Sequence, residues 1–582
     1  MPNEPAAFRQ PLEDPSLRDR LDSWKEIASY LRYSERTVRR WEAEGLPVHR
    51  HTHKSKAAIY AYKSEIDAWW NRDHARLEKL EPALVMSRQR RWRLGPTVAV
   101  TALAVAGIVL LAIGRLRASR SVALSRPRTI AVLPLRNLSG DATQDYFADG
   151  ITDALTTDLA QMEGLQVISV TSAMRYKDAK KALPEIAGEL NADVIVEGSV
   201  ERSGDQVRIT AQLIRAATDK HLWAETYERN FSDILGLQDE VASAVAGQIE
   251  TQLGGPKPSS PSQSGRVNPE AYDTYLRANY YSDSGQWTKS IDYYNQAVKL
   301  DPNYGPTYAH MASVYFFLTF FGALPPQEGW GNVKQDATLA IEKDEKIAEA
   351  HGALALAKMH YDWDFAGAER EFKRGIELNP SDADIHHDYA HYLMAMGRSA
   401  ESVEETKRAV ELDPVGMMLT SCLCWHDFAA RRYDDAQRLA AHSLTQYPNN
   451  PWEHTILGWT YEQKQMPNDA IAQLQQAVAE AKGGSFFLAA LGHAYASAGR
   501  KSDAEQVLQT LSKRSKDSYV SAFDVGGIYA GLGEKDKAFL WLDKAAAERS
   551  SFLVYSKWEP RLDPLRADPR FPQLLKRIGL PE

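Results

Sequence analysis

ELNPSDADIHHDYAHYLMAMGRSAESVEETKRAVELDP, residues 377–414, opens and closes on nearly the same four letters. Pro380 and Pro414 stand 34 residues apart, and Pro448 follows at the same step. Between them lies room for two helices, the second ended by a proline that cannot continue it. Gly458, Gly492 and Gly526 keep the 34-residue step, with Tyr461, Tyr495 and Tyr529 three residues after them and Ala470, Ala504 and Ala538 twelve after. A unit with small residues where its helices cross and proline at its exit cannot bury its apolar face alone, so copies must stack.

Residues 271–304 carry the same marks in Ala278, Tyr281, Tyr294, Ala297 and Pro302, and the next unit is stretched by an aromatic insertion at 316–332. These positions resemble the tetratricopeptide repeat family. The resemblance implies an all-α TPR solenoid of about eight repeats over 267–552, closed by residues 553–582, whose concave groove takes a protein or peptide. His386, His387 and His391 include an i, i+4 pair suited to a metal, but they read as groove-lining or solvent histidines. Cys422 and Cys424 are the only two cysteines, too few for a disulfide framework. Spaced by two, they leave a helix on different sides and read as core, so no metal or cofactor is expected.

Charge is segregated along the chain. Residues 1–93 hold 19 Lys+Arg against 14 Asp+Glu, while the other residues hold 50 against 63. A positive head on a negative body points to a polyanionic partner for the head alone. Residues 1–21 read as a disordered arm. Ser23 and Glu26 then form a capping box, and Trp24, Ile27, Ala28 and Leu31 share one helical face. After a turn, Ser34 caps a second helix that points Val38 and Trp41 inward and leaves Glu35, Arg36, Arg39 and Arg40 outside. Gly45-Leu46-Pro47 stops it, residues 48–62 read as two strands around a cationic turn, and Ser64 starts a helix carrying Ile66, Trp69 and Trp70. The alternating His49, His51 and His53 have no fourth ligand nearby and are not taken as a metal site.

Residues 22–76 thus resemble the winged helix-turn-helix of MerR-type and excisionase-type DNA-binding domains, through Thr37-Val38-Arg39-Arg40-Trp41 and Asp67-Ala68-Trp69. Double-stranded DNA is the partner this implies. Glu35, Arg36, Thr37, Arg39 and Arg40 would face the major groove, and Arg50, Lys54 and Lys56 would hold phosphates.

A basic juxtamembrane segment, 77–93, leads to LGPTVAVTALAVAGIVLLAIG at 94–114, 21 residues without a charge. That is enough for one transmembrane helix across a ~30 Å hydrocarbon core. Residues 76–93 supply six cations and 115–128 supply five, so flanking charge barely orients the span. A DNA-reading head places the N-terminus in the cytoplasm of a bacterium, the span in its inner membrane, and everything after it in the periplasm.

Beyond the span, TIAVLPLRNLSGD (129–141) reads as a strand and loop, DYFADGITDALTTDLAQM (145–162) as an amphipathic helix, and ADVIVEGSVERSGDQVRITAQLI as a hairpin turning at Ser203-Gly204-Asp205. With HLWAETYER and a closing helix, residues 129–253 form an α/β sandwich that resembles the TolB amino-terminal-like domain, departing from its I-A-V-L-P-F phrase at Leu135. Asp141 and Asp149 have no nucleophile, metal cluster or phosphate loop beside them, and Asp149 reads as a loop or helix-start residue. Ten of the 13 residues in 254–266 are Gly, Pro or Ser, a linker composition. The expected whole is multidomain and not an enzyme: a membrane-anchored regulator similar in layout to CadC/ToxR-type proteins, with pairing into a homodimer. The alternative is an envelope protein-interaction scaffold with a non-functional helix-turn-helix.

Overall fold

A computed structural model of the chain describes residues 19–31, 35–42, 46–51, 58–77, 128–162, 164–253 and 267–581. They belong to two compact units, divided after residue 116. Most of the expected arm, the segment 78–93, the apolar stretch 94–114 and the linker 254–266 lie outside the described residues. Among the described residues, no helix is long and apolar enough to cross a membrane.

The first unit contains β1 (Arg20–Leu21), α1 (Trp24–Leu31), α2 (Glu35–Glu42), β2 (His49–His51), β3 (Ala58–Tyr62) and α3 (Lys63–Leu77). Its sheet has the order β1-β3-β2, antiparallel throughout. The reading of 1–21 as disordered is corrected at its end. Leu21 is buried, and the Asp19 carboxylate accepts both the Ser64 N–H (3.2 Å) and the Ser64 hydroxyl (2.5 Å), tying the strand to the start of α3. The capping box forms one residue out of place: Ser23 Oγ accepts the Glu26 N–H, while the Glu26 carboxylate takes the N–H of Asp22. Ile27, Val38, Ala61 and Ile66 are fully buried, and the rings of Trp41 and Trp69 lie 6.1 Å apart. Ile27, Val38 and Ile66 each contribute about 1.5–3 kcal/mol, so a core this small depends on every one.

The second unit opens with β4 (Arg128–Val132), β5 (Arg136–Asn137), α4 (Asp145–Ala160), β6 (Leu165–Val167), α5 (Val170–Met174), α6 (Leu183–Glu189), β7 (Val194–Ser203), β8 (Gln206–Arg215), β9 (Lys220–Asn230) and α7 (Ile234–Leu253). The sheet runs β6-β4-β7-β8-β9, with β5 also paired to β7; β4 is parallel to both its neighbours and β7-β8-β9 is an antiparallel meander. Val207, Ile209, Ala211 and Leu213 of β8 are buried on one face, as period-two alternation requires. Gly204 turns the β7–β8 hairpin at φ +59. Asp149 is not at a loop or helix start: it sits inside α4, paired with Lys177 at 2.7 Å.

Sixteen helices follow as eight antiparallel pairs. They are α8 (Pro269–Asp283) with α9 (Trp287–Leu300), α10 (Gly305–Phe320) with α11 (Pro326–Lys343), α12 (Ala348–Ala357) with α13 (Phe365–Leu378), and α14 (Ala383–Ala395) with α15 (Ser399–Leu412). Then come α16 (Met417–Ala429) with α17 (Tyr433–Gln446), α18 (Pro451–Gln463) with α19 (Pro467–Glu480), α20 (Ser485–Ser497) with α21 (Lys501–Arg514), and α22 (Ala522–Gly531) with α23 (Lys535–Glu548). Most of the aromatic insertion is absorbed into longer helices, α10 of 16 residues and α11 of 18. The periodic Ala470, Ala504 and Ala538 are fully buried where partner helices cross.

The linker composition at 254–266 does not part its flanks: α7, the sheet and α8 share one core, to which Val241, Val245, Tyr272 and Leu276 belong. A Cβ on Gly150 would come within 2.6 Å of Leu276, so this glycine lets α4 lie against α8. Asp273 accepts from Tyr146 (2.7 Å) and pairs with Arg202 (2.5 Å) across the same seam. Farther along, Asp413 accepts hydroxyls from Ser169 and Ser172, and Ser381 Oγ accepts the N–H of Val167. An amphipathic helix at the open end of an array has an uncovered face, and the sheet's helices cover it.

Nor does the closing segment lie beyond the last repeat. From Ser551 it enters the concave side as two 3-10 turns (Ser551–Tyr555 and Pro560–Leu565) and α24 (Arg570–Arg577). Trp330 donates to Ser551 Oγ, the Ser551 carbonyl meets His360 Nδ1 at 2.9 Å, Trp558 donates to the Ala395 carbonyl, and Arg431 grips Asp563 with two 2.8 Å bonds. The groove assigned to an outside peptide is partly filled by the chain itself.

Candidate functional site

In the first unit the expected DNA-contacting residues fall on two elements. Glu35, Arg36, Thr37, Arg39 and Arg40 all lie on α2; Arg39 is exposed, 3.5 Å from Glu35 and 5.3 Å above the Trp24 ring. Arg50, on β2, reaches Glu42 at 2.5 Å. Each guanidinium is thus paired with an acid that a phosphate could replace. Lys54 and Lys56 lie outside the described residues, as do the side chains of Arg36, Thr37 and Arg40. His49 Nε2 lies 2.6 Å from Glu65 and its ring stacks on Tyr60, while the His51 side chain and His53 lie outside the described residues.

In the second unit, the array and its own C-terminal segment enclose a chamber of about 390 Å³. Phe316, Phe320, Trp425 and Trp452 form an apolar wall, and Glu349, Asp382, Asp384 and Asp388 line another side. Burial pushes Asp382 up to about 7, with Glu349 adding to the shift, while Asp384 stays open to solvent. The chamber is thus rich in acids, suited to a cation or a basic group beside apolar surface.

Where the acids meet the wall, α14 presents His387 and His391, one turn apart, and α16 presents Cys422. The three donor atoms lie within 4.8 Å of one another, all buried. His387 Nε2 is 2.8 Å from Cys422 Sγ and 2.8 Å from His391 Nε2. Burial pushes His387 down to about 4 and His391 well below the ordinary range, where His387, His426 and His360 add to the effect. Burial also raises the Cys422 thiol, so the imidazoles are neutral and the sulfur protonated at neutral pH. Behind His391, His426 lies 3.4 Å away, and its other nitrogen reaches Ser402 and Thr406.

Sequence reading weighed His386 with the other two, but its ring bridges Glu405 and the Pro380 carbonyl as a structural tie. It separated Cys422 from the histidines. The overlooked signal is spacing: Cys422 is 35 residues after His387, one more than the repeat, which places both on facing first helices of successive pairs. Cys424 points elsewhere, 3.9 Å from Glu453.

Comparison with known proteins adds the following. Residues 126–244 match the family described as HilA/YgeH-like transcriptional regulator, second domain, over the stretch whose motifs resemble the TolB amino-terminal-like domain. Residues 271–304 and 489–551 match tetratricopeptide repeat families. A curated protein of Rhizobium meliloti (strain 1021), provisionally named adenylate cyclase 3, is 35% identical over 240 residues, which are 39% of this chain and 40% of that protein. Among solved structures, the Cut9–Hcn1 hetero-tetramer of APC/C is similar at 15% identity and TM-score 0.37, covering 53% of this chain and 55% of that one. Pseudomonas aeruginosa pilF is similar at 16% identity and TM-score 0.28, covering 37% and 93%. The chain thus carries a HilA/YgeH-like transcriptional-regulator domain followed by tetratricopeptide repeats that serve protein interaction.

Proposed function

We propose that this chain is a membrane-anchored transcriptional regulator whose N-terminal head reads double-stranded DNA and whose sheet-plus-array module docks a protein or peptide. One observation carries the reading: two short helices and a three-stranded sheet, the second helix bearing three arginines on eight residues, precede a regulator-type domain in the chain. In this reading the N-terminal residues of α2 enter the major groove and the β2–β3 wing lies along the phosphates. Residues 94–114 cross the inner membrane once, with the head cytoplasmic and the array periplasmic. A single small module buries only ~600–1,000 Å² on DNA, so paired copies in the plane of the membrane would bind jointly.

The chain acts without catalysis in this reading, and cyclase activity stays with the Rhizobium meliloti relative, of which the match spans less than half. The deciding experiment is DNA binding by residues 1–93. A sequence preference that persists above the salt-dependent background supports the regulator; binding that is wholly salt-dependent and unselective leaves the envelope scaffold. Alkaline phosphatase and β-galactosidase fused at the C-terminus test the topology, and cytoplasmic signal from the array would end the periplasmic assignment.

A further inference from the structure

We propose that His387, His391 and Cys422 form a site for a borderline transition cation, with zinc as its first candidate, reached from the chamber of the array. Hydrogen bonding alone does not account for the cluster. His387 Nε2 lies 2.8 Å from both Cys422 Sγ and His391 Nε2. One ring nitrogen holds either one proton or one lone pair, so it satisfies one of these approaches and leaves the other uncompensated. A cation between the three donors satisfies all of them.

The tautomers agree with this. The Ser402 hydroxyl donates to the Ala390 carbonyl and the Thr406 hydroxyl to the Ser402 carbonyl, so both oxygens are acceptors toward His426 Nδ1. His426 Nε2 then carries a lone pair and takes the proton of His391 Nδ1 at 3.4 Å. That leaves the lone pair of His391 Nε2 aimed into the cluster. His387 Nδ1 lies 3.5 Å from the Asp388 carboxylate, near enough for attraction but without a hydrogen bond. His391 thus has an outer group that fixes its ring for metal binding, while the His387 ring is placed by its helix and its two Nε2 neighbours.

Two nitrogens and a sulfur select zinc and its neighbours over calcium or magnesium. Tetrahedral bonds of ~2.0–2.1 Å to nitrogen and ~2.3 Å to sulfur place ligands roughly 3.3–3.7 Å apart, within reach of small side-chain rotations here. On binding, the Cys422 S–H bond gives way to a sulfur–metal bond and its proton leaves to solvent. The carboxylates of Glu349, Asp382 and Asp384 line the approach, and the fourth coordination position opens on the chamber. The ion would join α14 to α16, linking successive pairs and offering a chamber occupant a direct bond. This site does not depend on whether the head reads DNA.

The test uses the full chain without a polyhistidine tag, stripped with chelator and titrated with zinc against a chromophoric competitor, and separately with cobalt(II). We expect one equivalent of zinc, and for cobalt the visible bands of a tetrahedral site with a thiolate-to-cobalt charge-transfer band. Cys422→Ser and His387→Gln should each weaken zinc by more than the ~10–100-fold that losing even an outer partner costs. Cys422→Ser should also abolish the charge-transfer band, and Cys424→Ser should change neither. Absence of stoichiometric zinc in the native chain, or an unchanged band in Cys422→Ser, overturns the site. Should either variant unfold, differential alkylation of the native chain decides: zinc must slow modification of Cys422 and leave Cys424 unaffected, and equal rates with and without zinc overturn it.

Discussion

The head and the array hold charge in opposite ways. On the head, Arg39 and Arg50 lie on open surface, paired with Glu35 and Glu42 that solvent also reaches. In the array, Asp336 is buried, and the Glu559–Arg561 pair is enclosed at 2.9 Å with both side chains almost wholly buried. Burial alone would raise the Glu559 carboxyl, but Arg561 holds it below its ordinary range. Exposed pairs contribute little to stability and exchange readily for a polyanion, whereas enclosed charges are costly to strand and set pH dependence. The head's Arg39 and Arg50 are placed to give up their partners, and the Glu559–Arg561 pair of the array to keep its own.

The strongest way to break that contrast is to delete residues 550–582. Phe552, Leu553, Tyr555, Leu562, Leu565, Leu574 and Ile578 are all buried, so the array should lose its cooperative melt, followed by circular dichroism, and expose apolar surface. A truncated chain melting at the native temperature would show that the segment is mere decoration.

The next effect belongs to the head. Arg39→Ala with Arg40→Ala should remove sequence-specific DNA binding, each base-contacting arginine contributing ~1–3 kcal/mol, while thermal stability barely moves. Retained specificity would reject α2 as the recognition helix.

The array should answer to pH instead. Burial pushes Asp336 up to about 7 from an ordinary 3.8, so the folded chain keeps a proton that the unfolded chain loses. That contribution is fully present below pH ~4 and is lost as pH rises to about 7. Asp336→Asn, which mimics the protonated acid, should therefore match the native chain near pH 4 and exceed it at pH 8 by up to a few kcal/mol in denaturant titrations. Equal stabilities at pH 8 would mean that the carboxylate is solvated after all.

The smallest effect returns to the wing. Lys54→Ala with Lys56→Ala should weaken binding to all sequences alike and lower the salt slope by about two, read from affinities across a salt series. A change confined to one sequence would make these lysines base readers.

What the sequence showed and hid follows from the range of the interactions. The 34-residue step, the alternation in β8 and the arginines of α2 are local patterns, and the helix pairs, the hairpin and the exposed Arg39 follow them. Strand β1 was hidden because two residues carry no periodicity, and its partners, Tyr62 for Arg20 and Ala61 for Leu21, lie far along the chain. The closing segment reads as punctuated, proline-rich chain because its turns are set by what they fill, not by their own propensity. In the candidate site, the His387–His391 pair was visible on one helix, but Cys422 joins it only once adjacent pairs stack. Composition at 254–266 argued for separation, while the apolar faces of α7 and α8, on either side, determined the outcome.

Arrays of repeats stretch like springs, because each unit touches only its neighbours. This one is splinted: the sheet domain is fastened to α8 through Asp273 and again, past two further helix pairs, through Ser381 and, past a third, through Asp413. Extension along the first half would have to tear one of those fastenings, and extension farther along would have to strip the closing segment from Trp330 and Arg431.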